Sequence, residues 1–242
     1  MFAIFKKDII NYFTTATGYL FLAVSLILSG LFLSLNTTMA QIPTSNAGGY
    51  FTITIFIMMI FLPILTMRSF SEERRTKTDQ LLFTSPVPVI SIVMGKFLSA
   101  FTMFLIYLAL SCFNFIPLFM FKADGASDPN MALIIGNFIA LILVGMAFIA
   151  IGIFVSSLTE NMFASALITI AVLFGFTMID LLNRLFSQVY FVRYVLSWLS
   201  VSSRYVAFSY GFFDVGALVY YLSITGIFIF LTERVFKARR LS

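Results

Sequence analysis

Long apolar runs alternate with short polar segments along this chain, at about residues 18–36, 50–67, 90–121, 131–156, 162–182 and 214–233. Each is close to or above the ~20 residues that an α-helix needs to cross the hydrocarbon core of a bilayer. The pattern predicts six spanning helices. The polar segments between them read as connections. Residues 37–49 form a loop without Lys or Arg, 122–130 a turn-rich loop, and 156–161 (Ser-Ser-Leu-Thr-Glu-Asn) a tight link. Pro63 is expected to kink the inner end of the second span, and Pro117 falls near the outer end of the third. The first run is longer than a signal-peptide core, and no small-x-small site follows it, so it is read as a retained span.

Two stretches have a different periodicity. In residues 2–13, Phe2, Phe5, Ile9 and Tyr12 recur at helical spacing, with Lys6, Lys7, Asp8 and Asn11 on the other side. That spacing predicts a helix lying in the membrane interface rather than a disordered start. In residues 184–212, Arg184, Arg193 and Arg204 alternate with Tyr190, Phe191, Tyr194, Trp198, Tyr205 and Tyr210. The stretch is too interrupted to cross and too apolar for a free loop. Because Trp and Tyr favour the headgroup level, a re-entrant or interfacial helical pair on the outer side is expected.

Residues 67–88 are the one dense run of charge, holding seven of the chain's 25 charged residues. Ser71 is placed to cap a short helix, which puts Glu72 and Glu73 in its first turn, where the helix dipole favours negative charge. Glu73 and Lys77 have the spacing of a helical ion pair. Leu81, Leu82 and Phe83 give the far end an apolar grip, and Pro86 and Pro88 stop it. A short helix at the membrane surface, held between two spans, is the expectation. It is either a charged loop that sets topology or a surface on which something soluble docks.

Composition fixes the class: 61% apolar, 10% charged and 31 Phe, with a mean hydropathy of +1.04, against about 25% charge in soluble domains. The chain has no His and a single Cys, which excludes zinc sites, disulfides and cysteine–histidine catalysis. Cys112 is read as a small packing residue in a helix. Lys96 lies one to two turns from the inner boundary and is expected to snorkel to the cytoplasmic face. Asp180, near the end of the fifth span, either lines a substrate path or sits at the interface beside Arg184. With both termini inside, the inner side holds eleven Lys and Arg and the outer side four, which predicts both termini in the cytoplasm. The net charge of +5 then belongs to cytoplasmic loops and anionic lipid, not to nucleic acid. No phosphate-binding loop is present: Gly95-Lys96 is followed by Phe97, and position 90 is Ile where that motif needs Gly. No G-x-S-x-G, His dyad or cluster of intramembrane acids supports an enzyme. There is no clear inverted repeat and few places for a coupling ion, which weighs against secondary transport.

With these residues in view, the chain resembles the permease subunits of type-2 ABC exporters, particularly the gliding-motility and sodium/drug-export branch. The most specific part is Arg68-Ser-Phe-Ser-Glu-Glu-Arg-Arg-Thr-Lys-Thr-Asp-Gln-Leu-Leu-Phe-Thr-Ser-Pro-Val87 with Gly95-Lys96-Phe97, which is similar to the family's cytoplasmic coupling helix. Residues 156–161, the segment from Asp214 to Arg240 and the N-terminal elbow-like residues 2–13 agree with it. The chain departs at Lys77 and at Asp79-Gln80, where the family usually has Gly and Glu.

The resemblance implies an all-α integral membrane protein formed of one transmembrane domain over 1–242, with an elbow helix, six spans and a coupling helix between spans 2 and 3. It implies a non-catalytic, multi-pass subunit of the cytoplasmic membrane that binds no cofactor, pairs with an identical or homologous permease, and sits on two ATP-binding subunits that use ATP and Mg. By that analogy Glu72, Glu73, Arg74, Arg75, Thr76, Lys77 and Asp79 are the docking residues. Thr159, Glu160 and Asn161 are either a second cytoplasmic contact or only a turn. Two other readings compete with the exporter permease: a subunit that transmits force or signals without moving solute, and a secondary transporter or channel. A path lined by Phe, Leu, Ile, Ser and Thr suits an amphipathic or lipid-like substrate better than a bare ion.

Overall fold

A computed structural model of the chain describes residues 1–39, 48–78, 87–116, 131–185, 200–201, 204–205, 208, 210–211 and 213–241. Among these, the regular elements are all helical: α1 (Phe2–Thr14), α2 (Ala16–Met39), α3 (Gly48–Thr66), α4 (Arg68–Arg75), α5 (Val89–Ser111), α6 (Met131–Leu158), α7 (Met162–Leu185) and α8 (Val215–Leu241). Six are long and apolar enough to cross a membrane. The protein is an all-helical, multi-pass membrane protein.

Burial sorts the spans. α6 is apolar on every face, as a helix at the centre of a bundle must be, and 72% of its spanning window is buried inside the chain. It packs against α3, α4, α5, α7 and α8. By contrast, α2, α7 and α8 are buried over only 28%, 28% and 22% of their windows. They present Leu31, Leu167 and Val219 outward, as lipid-facing helices do. Close approach to α6 depends on glycine. A Cβ on Gly145 would lie 2.2 Å from the Phe104 ring of α5, and one on Gly152 would lie 2.2 Å from the Thr66 hydroxyl of α3.

The chain has two distinct poles. At one, α1, α4, the start of α5, the α6–α7 link and the end of α8 gather, and most of the charge gathers with them. At the other, Val201, Tyr205 and Phe208 are buried at helical spacing, with the Tyr205 hydroxyl donating to Asn137 of α6 and Tyr221 of α8 donating to the Val201 carbonyl at 2.8 Å. Most of residues 184–212, for which a re-entrant or interfacial helical pair was expected, lies outside the described residues, as do 117–121 at the end of the expected third span.

Two local expectations change. Cys112 is not packed inside a helix: α5 gives way at Ser111 to a 3-10 turn, Cys112–Phe115, and Cys112 is exposed. Tyr12 is buried, as the spacing of residues 2–13 implies, but Phe2 is 74% exposed and Asp8, expected on the outward polar side, is tucked beneath the helix. The need to pair a buried cation overrides the apolar stripe.

Replacing Gly145 with Ala is expected to cost about 1–3 kcal/mol by overpacking. A lowered thermal unfolding midpoint in detergent, partly restored by adding Phe104→Leu, checks this.

Candidate functional site

The charged pole is built around α4, and α4 begins in an unusual way. The expected cap, Ser71, does not lie at its start. Met67 joins α3 to α4 with helical φ and ψ, the helix begins at Arg68, and its first turn holds no acid. Glu72 and Glu73 therefore fall in the second turn, and Ser71 is fully buried. The capping work is done from another helix. Ser156 Oγ, near the end of α6, accepts the backbone N–H groups of Phe70 and Ser71, both at 3.1 Å. It donates to the Met67 carbonyl at 3.1 Å, and Ser71 Oγ donates to the Ser156 carbonyl at 3.1 Å. Two hydroxyls thus satisfy two donors and two acceptors without conflict. The sequence could not disclose a capping residue 85 positions away.

Arg74 extends the same seam. Its guanidinium donates to the Leu158 carbonyl at 2.8 Å and pairs with Glu160 at 2.7 Å. Thr159 lies 3.4 Å from the Ser71 hydroxyl. Asn161 caps α7, its Oδ1 accepting the Phe163 N–H at 3.0 Å.

On the opposite side of α4, Lys96 of α5 ends in a charge cluster. Its side chain is only 3% exposed, so it does not snorkel into water. It donates to Glu73 at 2.8 Å, lies 3.5 Å from Asp8 of α1, and stands over the Phe70 ring at 5.0 Å. Lys7 reaches Glu73 at 3.9 Å. The expected Glu73–Lys77 pair is replaced by these contacts, because Glu73 faces inward. Phe70 in turn packs on Phe236 of α8, ring centres 4.4 Å apart. Tyr12 of α1 donates to the Leu65 carbonyl at 3.3 Å. Burial pushes its phenol well above the usual range, so it remains a donor.

Beyond Arg74 the helix turns outward. Thr78 N–H bonds the Glu73 carbonyl at 2.9 Å and Lys77 N–H the Arg74 carbonyl at 3.1 Å, the paired closure of a Schellman motif. Lys77 occupies its left-handed position, φ 56°. This is the place at which the resembled family usually has Gly. Arg75, Thr76, Lys77 and Thr78 are all exposed. Glu72 is half-exposed, 3.9 Å from Arg68. Of the seven residues expected to dock a partner, Glu73 and Arg74 are thus occupied within the chain. Glu72, Arg75, Thr76 and Lys77 face outward, and Asp79 lies outside the described residues, with the expected Leu81–Phe83 grip. Asp180 falls within α7, and its side chain also lies outside the described residues. Among the described residues no cluster of His, Cys, Asp and Glu is arranged to hold a metal ion.

A family model described as ABC-2 family transporter protein matches residues 32–232. No curated protein matches the chain.

Removing the shared cation leaves Glu73 and Asp8 without it, so Lys96→Met is expected to cost about 3–5 kcal/mol, and Glu73→Gln less, because Asp8 still faces Lys96. Because they share the pair, the double variant is expected to fall well short of the sum, measurable as a double-mutant cycle in thermal melts. Lys77→Gly is expected to stabilise the chain by about 1 kcal/mol by relieving the left-handed residue, read in the same melts.

Proposed function

The chain belongs to the ABC-2 family of transporter proteins and is a membrane component of an ABC transporter; from that premise we propose that it is the permease subunit of an ATP-driven exporter. ABC-2 permeases normally pair with an ATP-binding subunit, and α4 is the element through which such a subunit would drive this chain. The observation that carries the reading is the way α4 is held. One side is bound to α5 through Glu73 and Lys96, the opposite side to the end of α6 through Ser156 and to the α6–α7 link through Glu160, and Phe70 rests on α8. The other end projects Arg75, Thr76, Lys77 and Thr78 into the open. A push on that exposed turn would therefore pass into several spans at once, which an ordinary topology-setting loop has no need to do.

In this reading the charged pole faces the cytoplasm, both termini lie there, and the docking surface is Glu72, Arg75, Thr76 and Lys77, with Asp79 following. Glu73 and Arg74 serve inside it, with Glu160 held by Arg74 and Thr159 beside Ser71. ATP and Mg act on the partner, and this chain binds neither and catalyses nothing. A second permease, identical or homologous, completes the pathway against the lipid-facing spans. An amphipathic or lipid-like cargo suits the lining. A secondary transporter would not need the exposed turn of α4. A force-transmitting subunit would, and differs only in moving no solute.

The test is recovery of the chain from its own membrane in mild detergent, with an ATPase assay on the eluate. An ATP-binding chain is expected to co-purify. Charge reversal at the turn, Arg75→Glu with Lys77→Glu, is expected to lower its recovery about tenfold, the scale of one or two rim charge contacts. Recovery of the chain alone, or undiminished ATPase with the reversed turn, would refute the assignment.

A further inference from the structure

The charge cluster borders a cleft that shares only Glu72 and Thr76 with the docking surface. It lies between α1 and α4, is open on one side, has a volume of about 210 Å³, and is lined by Lys7, Asp8, Asn11, Arg68, Glu73 and Lys96 among others. One water needs only ~10–15 Å³ of such space, so the cleft has room for a small polar group rather than for one trapped solvent molecule. Two atoms of its lining residues are buried and make no hydrogen bond among the described residues: Arg68 Nε, a donor whose one ion-pair contact, with Glu72, is at 3.9 Å, and Glu73 Oε2, an acceptor. Buried polar atoms of this kind ordinarily have partners. The charged lining is balanced, with Lys7, Arg68 and Lys96 against Asp8, Glu72 and Glu73. A ligand of net charge gains little from such a wall, whereas one carrying both a cation and an anion offers a hydrogen-bond partner to each of these two atoms.

The surroundings point to where that ligand comes from. Thr15 and Thr17 line the cleft, and the residues next to them along α1 and α2, Phe13, Tyr19 and Leu20, are exposed and apolar. A headgroup seated in the cleft would leave its acyl chains against this face. We propose that the α1–α4 cleft binds the headgroup of a zwitterionic phospholipid, the phosphate taken by Arg68 and Lys7 and the ammonium by Glu73. The site needs no ATPase partner, so it stands or falls separately from the exporter reading.

The full chain, purified in mild detergent, is titrated with phosphatidylethanolamine or with phosphatidylglycerol of matched acyl chains, and bound lipid is counted by native mass spectrometry. The expected result is retention of phosphatidylethanolamine in preference to phosphatidylglycerol. Arg68→Gln, which removes the guanidinium charge, and Asn11→Trp, which fills the cleft from an exposed position, should each weaken retention about tenfold, the scale of one charge-assisted hydrogen bond. Thermal melts of both variants verify that they fold, and Asn11→Trp keeps the test decisive if Arg68→Gln does not. Equal retention of the two lipids, or retention unchanged in a folded variant, would overturn the proposal. Binding of free phosphoethanolamine without any lipid preference would overturn the lipid source as well.

Discussion

A lysine ammonium placed inside an apolar bundle has to be neutralised by carboxylates, and Lys96 finds its two on other helices. Glu73 comes from α4 and Asp8 from α1. That single requirement explains several features at the charged pole. It draws the amphipathic N-terminal helix down with Asp8 inward, and it turns Glu73 away from solvent and from Lys77. It sets α4 across the start of α5, where Phe70 can lie under the ammonium and against Phe236. A buried ion pair is weak evidence for net stability, because desolvation offsets much of the attraction. Its effect here is to specify position: few other arrangements of three helices leave none of these charges stranded.

The second seam of α4 works by neutral hydrogen bonds. Ser156 supplies the hydroxyl that the helix start lacks, and Ser71 returns the bond to the Ser156 carbonyl. A glycine one turn before, Gly152, brings α6 close to α3. The charged seam and the hydroxyl seam hold opposite sides of the same short helix, so α4 has little freedom to slide along either one.

Much of this architecture was legible in the sequence, and the reasons differ by level. Spanning helices are dictated by the length of apolar runs, since backbone polar groups in lipid have only the helix to satisfy them. The short charged helix was visible for the same reason, as the one place where hydrocarbon stops. What stayed hidden was long-range. Ser71 looked like a cap because capping is normally local, and only the fold brings Ser156 to the helix start. Lys96 looked like a snorkelling residue because its partners sit 23 and 88 positions earlier in the chain. The departure at Lys77 was visible as a residue where glycine is usual, but its meaning, a left-handed helix end, needed the backbone.

The cap supplied by Ser156 also has a bearing on biogenesis. Chains are made from the N-terminus onward, so α4 leaves the ribosome long before the helix that completes it. Until α6 has been inserted, the N–H groups of Phe70 and Ser71 lack the hydroxyl that later receives them, and Arg74 lacks the Leu158 carbonyl and Glu160. The finished shape of α4 is therefore a late event, delayed until the fourth span is in place. A partner that recognises this helix would by the same act distinguish a fully inserted subunit from a half-made one, and assembly would be proofread without a separate factor.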